Sequence, residues 1–220
     1  MTKKENITNI GGISQTSKMP CLSFNLSAFF CNVGGKLMKI KNSVCDGCYA
    51  QRGYYLLGKK THTKNHHNKM EKFQDSKLWI MSFTDYLTNH YKTTSKIDSN
   101  YFRWFDSGDL QSYKMLLSIV EICNNTPHIK HWLPTKEYSL IRKYKKEYGK
   151  FPKNLCVRVS APMVDSIMRG FNNTSSVSKN SQSIDTRYAK TCNAVEQENK
   201  CIDCRLCWDK SIKNITYKYH

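Results

Sequence analysis

The sequence predicts an α/β fold, either a parallel-strand partial (β/α) barrel or an open sheet, with a cysteine-rich C-terminal cap. Three observations carry that expectation. Between residues 101 and 160, apolar strand-like runs alternate with amphipathic helical runs about every 25–30 residues, the pattern of parallel strands joined by right-handed crossovers. Each strand-like run stops in polar residues. Of the 10 cysteines, only Cys123 and Cys156 lie between residues 50 and 190.

Taken in order, residues 1–20 are polar, contain Gly11-Gly12, and read as a flexible arm before a single α/β domain over 21–220. Leu22 to Leu26 alternate apolar and polar residues and read as a short strand. A Gly- and Lys-rich loop with Cys31, Cys45 and Cys48 follows. From about 64 to 92 one long helix is expected, because Trp79, Phe83, Tyr86, Leu87 and His90 recur at helical spacing. Tyr101 to Phe105 form an aromatic strand, ended by Asp106-Ser107-Gly108-Asp109. A helix then carries Leu116, Ile119, Val120 and Cys123 on one side. The next strand ends His131-Trp132-Leu133, before Pro134-Thr135-Lys136-Glu137. A helix over about 137–148 stops at Gly149 and Pro152. Leu155 to Ser160 form the last strand of the series. Residues 172–184 read as a polar loop, and Ile215 to His220 as a short edge strand after a cysteine-rich tail at about 190–210.

The polar strand ends bear on function. Asp106, Ser107 and Asp109 follow one strand, Thr135 and Lys136 the next, and Arg158 and Ser160 the third. In a parallel sheet these ends share one face, where α/β folds build their sites. Turn residues are polar in any case, so a single such end would mean little. Three in succession predict a cleft.

The tail reads Cys192-x8-Cys201-x2-Cys204-x2-Cys207-Trp208. A Cys-x2-Cys-x2-Cys run sets three thiolates on one tight loop, which suits the corners of an iron–sulfur cubane with a fourth ligand from farther away. Zinc is the alternative, although it usually takes two separate Cys-x2-Cys knuckles, whereas here the middle cysteine is shared. The first group, Cys31-x13-Cys45-x2-Cys48, would leave one iron of a [4Fe–4S] cluster without a protein ligand. The two groups either hold separate metals or share one site. Cys123 and Cys156 read as core packing. Cys21 goes either way.

The first 20 residues lack the apolar run of a signal peptide, and no stretch reaches the ~18 apolar residues of a membrane span. A cytoplasmic location follows as the expectation, with no membrane partner, and with cysteines serving as ligands before disulfides. Formal charge is +18, from 35 Lys+Arg against 17 Asp+Glu, which attracts polyanions and makes nucleic acid a candidate partner. The lysines are spread out, however, and the Asn-, Ile- and Tyr-rich composition fits an AT-rich genome, which inflates lysine without any nucleic-acid role. No Ser-His-Asp set, His-Glu-x-x-His motif or phosphate-binding loop is visible.

Five segments together resemble the bacteriophage gene product 88 family: Cys31 with Ser43-Val44-Cys45-Asp46-Gly47-Cys48-Tyr49-Ala50; Phe102 to Asp109; Trp132 to Lys136; Val157 to Ser160; and the closing Cys201-x2-Cys204-x2-Cys207-Trp208. That likeness places the chain in the cytoplasm of a host cell. A more distant resemblance is to radical S-adenosylmethionine proteins, parallel partial barrels with a three-cysteine loop after the first strand. It departs in spacing, since 13 residues separate Cys31 from Cys45 where that family has Cys-x3-Cys-x2-Cys.

This second resemblance implies an enzyme. Asp106, Asp109, Lys136 and Arg158 would do the polar work of catalysis. Tyr49, Ser107, Gly108, Thr135 and Ser160 would line the S-adenosylmethionine site, and Cys31, Cys45 and Cys48 would hold the cluster. Cys192, Cys201, Cys204 and Cys207 would bind an auxiliary cluster or cap the barrel. The alternative from another class is a non-enzymatic protein, stabilised by zinc or a cluster, that binds nucleic acid.

Overall fold

The structure is a computed structural model describing residues 1–179 and 189–219. Among these residues are eight strands: β1 (Ser14–Gln15), β2 (Leu22–Phe24), β3 (Tyr101–Trp104), β4 (Lys130–Thr135), β5 (Leu155–Ser160), β6 (Thr174–Ser178), β7 (Ala189–Thr191) and β8 (Asn214–Lys218). They form one sheet in the order β1-β2-β3-β4-β5-β6-β8-β7. β1 runs antiparallel to β2, and every other pair is parallel. The sheet is open, with β1 and β7 at its edges. Seven α-helices accompany it: α1 (Lys3–Ile10), α2 (Asn32–Leu37), α3 (Gly53–Leu57), α4 (Lys59–Gln74), α5 (Ser76–Asp85), α6 (Tyr113–Asn125) and α7 (Tyr138–Tyr148).

Register and pleat divide the sheet into two unlike faces. Phe24 lies beside Trp104, and Phe102 beside His131, which in turn lies beside Leu155. Because side chains alternate along a strand, these residues share a face with Leu133, Val157 and Val159. That face is the main core. Trp79 and Phe83 of α5 and Met115, Leu116, Ile119 and Ile122 of α6 complete it, and all six are fully buried. The α6 residues recur at helical spacing, and the Ser112 hydroxyl caps their helix by accepting from Met115 N at 3.1 Å.

The opposite face carries Ser23, Arg103, Trp132, Cys156 and Arg158, and the chain that covers it is irregular. Trp208 packs there, with its ring centroid 5.2 Å from Trp132 and 5.4 Å from Tyr101, and its Nε1 donates to Phe102 O at 2.9 Å. Buried Cys21 completes this smaller apolar cluster.

Several elements differ from the sequence expectation. Residues 1–20, expected as an arm, carry α1, closed by a reciprocal Thr2–Glu5 capping box and docked through fully buried Ile10 and an Asn6–Asp85 hydrogen bond of 2.7 Å. The long helix divides at Asp75, whose carboxylate caps α5 by accepting from Leu78 N at 3.0 Å, and a π-turn over Tyr86–His90 replaces its last turn. Thr174–Ser178, inside the expected loop, is a mostly buried strand; the rest of that loop from 180 lies outside the described residues. β8 is interior, paired on both sides by β6 and β7, so the edge belongs to β7. The last residue of that expected strand, His220, also lies outside the described set.

Candidate metal centre and the polar strand ends

The residues after β3 tie two neighbouring strand ends together. Phe105 turns into the left-handed region at φ 55°, which throws Asp106-Ser107-Gly108-Asp109 across the sheet edge. The Asp106 carboxylate accepts from Ser23 Oγ at 2.7 Å. Ser107 donates to Leu26 O at 3.0 Å, and Leu26 N donates back to Ser107 O at 3.0 Å. Gly108, at φ 79°, leaves no room for a side chain: a Cβ would stand 2.6 Å from Leu26 O.

Asp109 then reaches the end of β4. Its Oδ1 accepts from Thr135 Oγ1 at 2.6 Å and Leu110 N at 2.8 Å, and its Oδ2 from Lys136 N at 2.8 Å. Burial nonetheless pushes its carboxyl above the usual range, against the pull of those donors. Tyr49 OH donates to Asp106 O at 2.9 Å, and Ser160 accepts from Tyr138 OH through its carbonyl at 3.1 Å. Asp106, Ser107, Gly108, Asp109, Thr135, Lys136 and Tyr49 therefore do meet at one edge of the sheet.

The first cysteine group lies against this edge. Cys31 immediately precedes α2. Cys45 and Cys48 flank a turn in which Gly47 takes φ 83° and Cys48 N donates to Cys45 O at 3.1 Å. Ser43, fully buried, donates to Leu37 O at 2.6 Å and accepts from Cys45 N and Asp46 N. Val44 N bonds Pro162 O at 2.9 Å, anchoring the loop beyond β5.

Gly34 faces the thiols. A Cβ on it would stand 3.6 Å from Cys45 Sγ and 3.7 Å from Cys31 Sγ, so both sulfurs lie beside the same glycine. Burial pushes the Cys31 and Cys45 thiols up. For Cys45 the chief opposing influence is the Lys136 cation, and Cys31 also feels Asp109, Cys48 and Cys45.

The tail forms a second group elsewhere. Cys201 senses Cys192 and Cys204, and Cys207 senses Cys192; no thiol of the first group is among their main electrostatic neighbours. All ten thiols are free. Cys207 Sγ lies 3.3 Å from Tyr217 OH, and Cys201 Sγ 3.9 Å from Met19 Sδ. Among the described residues, no three His, Cys, Asp or Glu side chains stand in the arrangement of a single bound metal ion.

Arg158, expected with the polar groups of the cleft, is placed otherwise. It is fully buried, and its guanidinium donates to five backbone carbonyls: Cys207, Leu206, Asp209, Ile212 and Thr174. Its charge and its donors hold the tail. Sequence reasoning missed Gly34 and Arg103. Arg103 projects from β3, where it stacks 4.5 Å from the Trp132 ring and leaves a buried Nε without a hydrogen-bond partner. The signal for Arg103 was its place in the Phe-Arg-Trp-Phe alternation, which sends it to the face opposite the aromatic core. Gly34 gave no signal, since Gly34-Gly35 reads as loop.

No curated protein and no solved structure matches the chain significantly. No helix among the described residues is long and apolar enough to cross a membrane. One family model matches residues 1–210, nearly the whole sequence, including both cysteine groups and the polar strand ends, and the chain belongs to that family, gene product 88.

Proposed function

We propose that the chain is a phage-type iron–sulfur protein in which Cys31, Cys45 and Cys48 hold a cluster at the strand ends of an open, partial-barrel sheet, and that it acts there as a radical S-adenosylmethionine-like enzyme. The observation that carries this reading is that the sulfurs of Cys31 and Cys45 flank Gly34, with Lys136 beside Cys45. Three soft thiolates are the right donors for iron–sulfur or zinc, and a cubane spreads its thiolates wider than one ion does, because each binds a different iron. Cys31, Cys45 and Cys48 would hold such a cluster with one iron left without a protein ligand, and the cluster would supply an electron for reductive cleavage of S-adenosylmethionine.

The chain's own residues do the rest. Lys136 offsets negative charge at Cys45. Asp109 fixes Lys136 and Thr135 through backbone and hydroxyl bonds. Tyr49 lies over Asp106, donating to its carbonyl.

The test is anaerobic reconstitution with ferrous iron and sulfide, followed by reduction in the presence of S-adenosylmethionine. The expected result is a brown protein absorbing broadly near ~400 nm that releases methionine and 5′-deoxyadenosine, with both properties lost in Cys45→Ser. A wild-type protein that takes up no iron, or that is fully loaded yet leaves the cofactor intact, overturns the reading.

A second reading rests on a different feature. An open cavity of about 600 Å³ at the opposite end of the strands is lined by Lys130, Lys153, Arg205 and Lys210, with Asp209 in the lining and Asp98 paired to Arg205 at 3.4 Å. Four cations around one concavity support contact with a polyanion such as nucleic acid. Binding of a labelled duplex that weakens steeply with salt, without any cofactor cleavage, would favour this reading.

A further inference from the structure

β7 and β8 are parallel neighbours, so the chain between them must cross back over a face of the sheet. Such crossovers are usually helices that bury an apolar stripe. Here residues 192–213 do the job with two short 3-10 turns. From 189 to 207 no residue is buried, and Ile202, the largest aliphatic side chain near its middle, is 56% exposed. Hydrophobic burial anchors the crossover only beyond this stretch, at Trp208, and does not hold residues 189–207 in place.

Its backbone is also strained. Glu198, Asn199 and Ile202 all lie in the left-handed region, at φ 53°, 60° and 40°. For a β-branched residue such as Ile202 that conformation is a true outlier, which persists only where the surroundings enforce it. Ile202 sits inside the Cys201-x2-Cys204 turn, closed by a 2.7 Å bond from Cys204 N to Cys201 O. Cys192 lies within electrostatic reach of Cys201, Cys204 and Cys207, and Cys201 of Cys204, while Arg158 holds the carbonyls of Leu206, Cys207 and Asp209 from beneath.

We propose that Cys192, Cys201, Cys204 and Cys207 form a second metal centre, an iron–sulfur cluster with all four irons ligated by protein, that takes the place of the crossover helix. The site is independent of the reading of Cys31, Cys45 and Cys48. The shared middle cysteine of Cys201-x2-Cys204-x2-Cys207 favours a cluster over zinc, which takes paired knuckles. Four thiolates leave no open iron, so the role is structural: metal ligation supplies the ordering energy that burial does not. Cys21 stays outside the set, packed with Trp132 and Trp208.

Two full-length variants test it after anaerobic reconstitution with iron and sulfide, by metal and acid-labile sulfide content and by limited proteolysis. A triple Cys31→Ser, Cys45→Ser, Cys48→Ser variant should keep about half of the wild-type iron. Cys204→Ser should lose about half and become at least ~10-fold more readily cleaved within 189–207, because the ligation that orders the segment is gone. If the first group binds no iron, the triple variant will match wild type and Cys204→Ser will hold none, which sustains this site and sinks only the other reading. Cys204→Ser with full iron and wild-type cleavage overturns the proposal. So does zinc in place of iron in the triple variant, or a triple variant that is folded by circular dichroism yet free of iron.

Discussion

The Nε of Arg158 donates to the carbonyl of Cys207 at 2.9 Å, from a guanidinium with no exposed surface. Four further carbonyls surround its other nitrogens, the nearest being Asp209 O at 2.7 Å. A cation buried without a carboxylate partner is tolerable only because backbone dipoles solvate it on every side. Arg158→Met keeps volume but leaves five carbonyls short of a donor. The expected cost is about 3 kcal/mol or more in urea unfolding. Arg158→Lys should recover only part of this, since an ammonium lacks the planar fork that reaches several carbonyls together. Equal midpoints for wild type and Arg158→Met would remove Arg158 from this role.

Asp109 makes the second prediction. Its two oxygens serve three donors from two strand ends. Asp109→Asn replaces one acceptor oxygen with an NH2 group, which then faces either Lys136 N–H or Leu110 N–H. One buried amide loses its partner in either orientation, at a cost of about 1–3 kcal/mol. Thr135→Val removes the donor to Asp109 and leaves the buried Glu137 N–H without its acceptor, so it should cost a similar amount. Unfolding curves of the two variants are the check, and a wild-type midpoint for either one would remove its contacts from this role.

The strands over 101–160 were legible because local pattern and tertiary packing agree there. Phe102, Trp104, Leu133 and Val157 are buried where alternation puts them, and the α6 stripe is buried where helical period puts it. Sequence alone also grouped the strand-end residues, because parallel strands leave their ends together. The errors have physical causes. β6 is written Thr-Ser-Ser-Val-Ser, and its polar side chains satisfy one another instead of facing water: Ser176 with Thr216 at 3.1 Å, and Thr174 with Asn214 at 2.8 Å. No hydropathy pattern reveals that pairing. Arg158 was read as a site residue because strand-end cations so often are, but its alternation parity sends it beneath the tail. Gly34 matters only through two sulfurs, and Cys45 is 11 residues farther along the chain.

His131 gives a pH prediction. The Thr126 hydroxyl donates to Ile122 O at 2.7 Å, so its oxygen accepts from His131 Nε2 at 2.9 Å. The proton therefore sits on Nε2, and Nδ1 is buried with no partner. Burial lowers the imidazole from its ordinary 6.5 to about 3. Above pH 6.5 the ring is neutral in folded and unfolded chains alike, and stability is independent of it. As pH falls below 6.5 the unfolded chain binds a proton that the fold refuses. Stability is then lost at about 1.4 kcal/mol per pH unit, levelling near the folded value. His131→Leu should be less stable at pH 7, because Thr126 loses its partner, yet should lose stability less steeply between pH 6 and 4.5. The difference in slope cancels every other titrating group, and parallel slopes would refute the assignment.

Gly34 and Gly35 allow the metal reading to be separated from folding. Both lie in α2, where Ala is favoured over Gly by roughly 1 kcal/mol. At Gly35 a Cβ meets nothing within 4 Å, so Gly35→Ala should be neutral or stabilising and leave iron content unchanged. At Gly34 a Cβ stands 3.1 Å from Cys31 Cβ and close to both sulfurs. The crowding at Cys31 offsets part of the helix gain, so the metal-free Gly34→Ala protein should unfold within about 1 kcal/mol of wild type. Its methyl group would nevertheless stand within 3.7 Å of both sulfurs that the proposed cluster uses. Reconstituted Gly34→Ala should therefore lose the iron of the first group and keep that of the tail, while Gly34→Val, bulkier still, loses it completely. Because these substitutions alter no ligand, a drop in iron at constant stability reports crowding beside the two sulfurs, and full loading of Gly34→Val would mean that nothing binds between those two thiols.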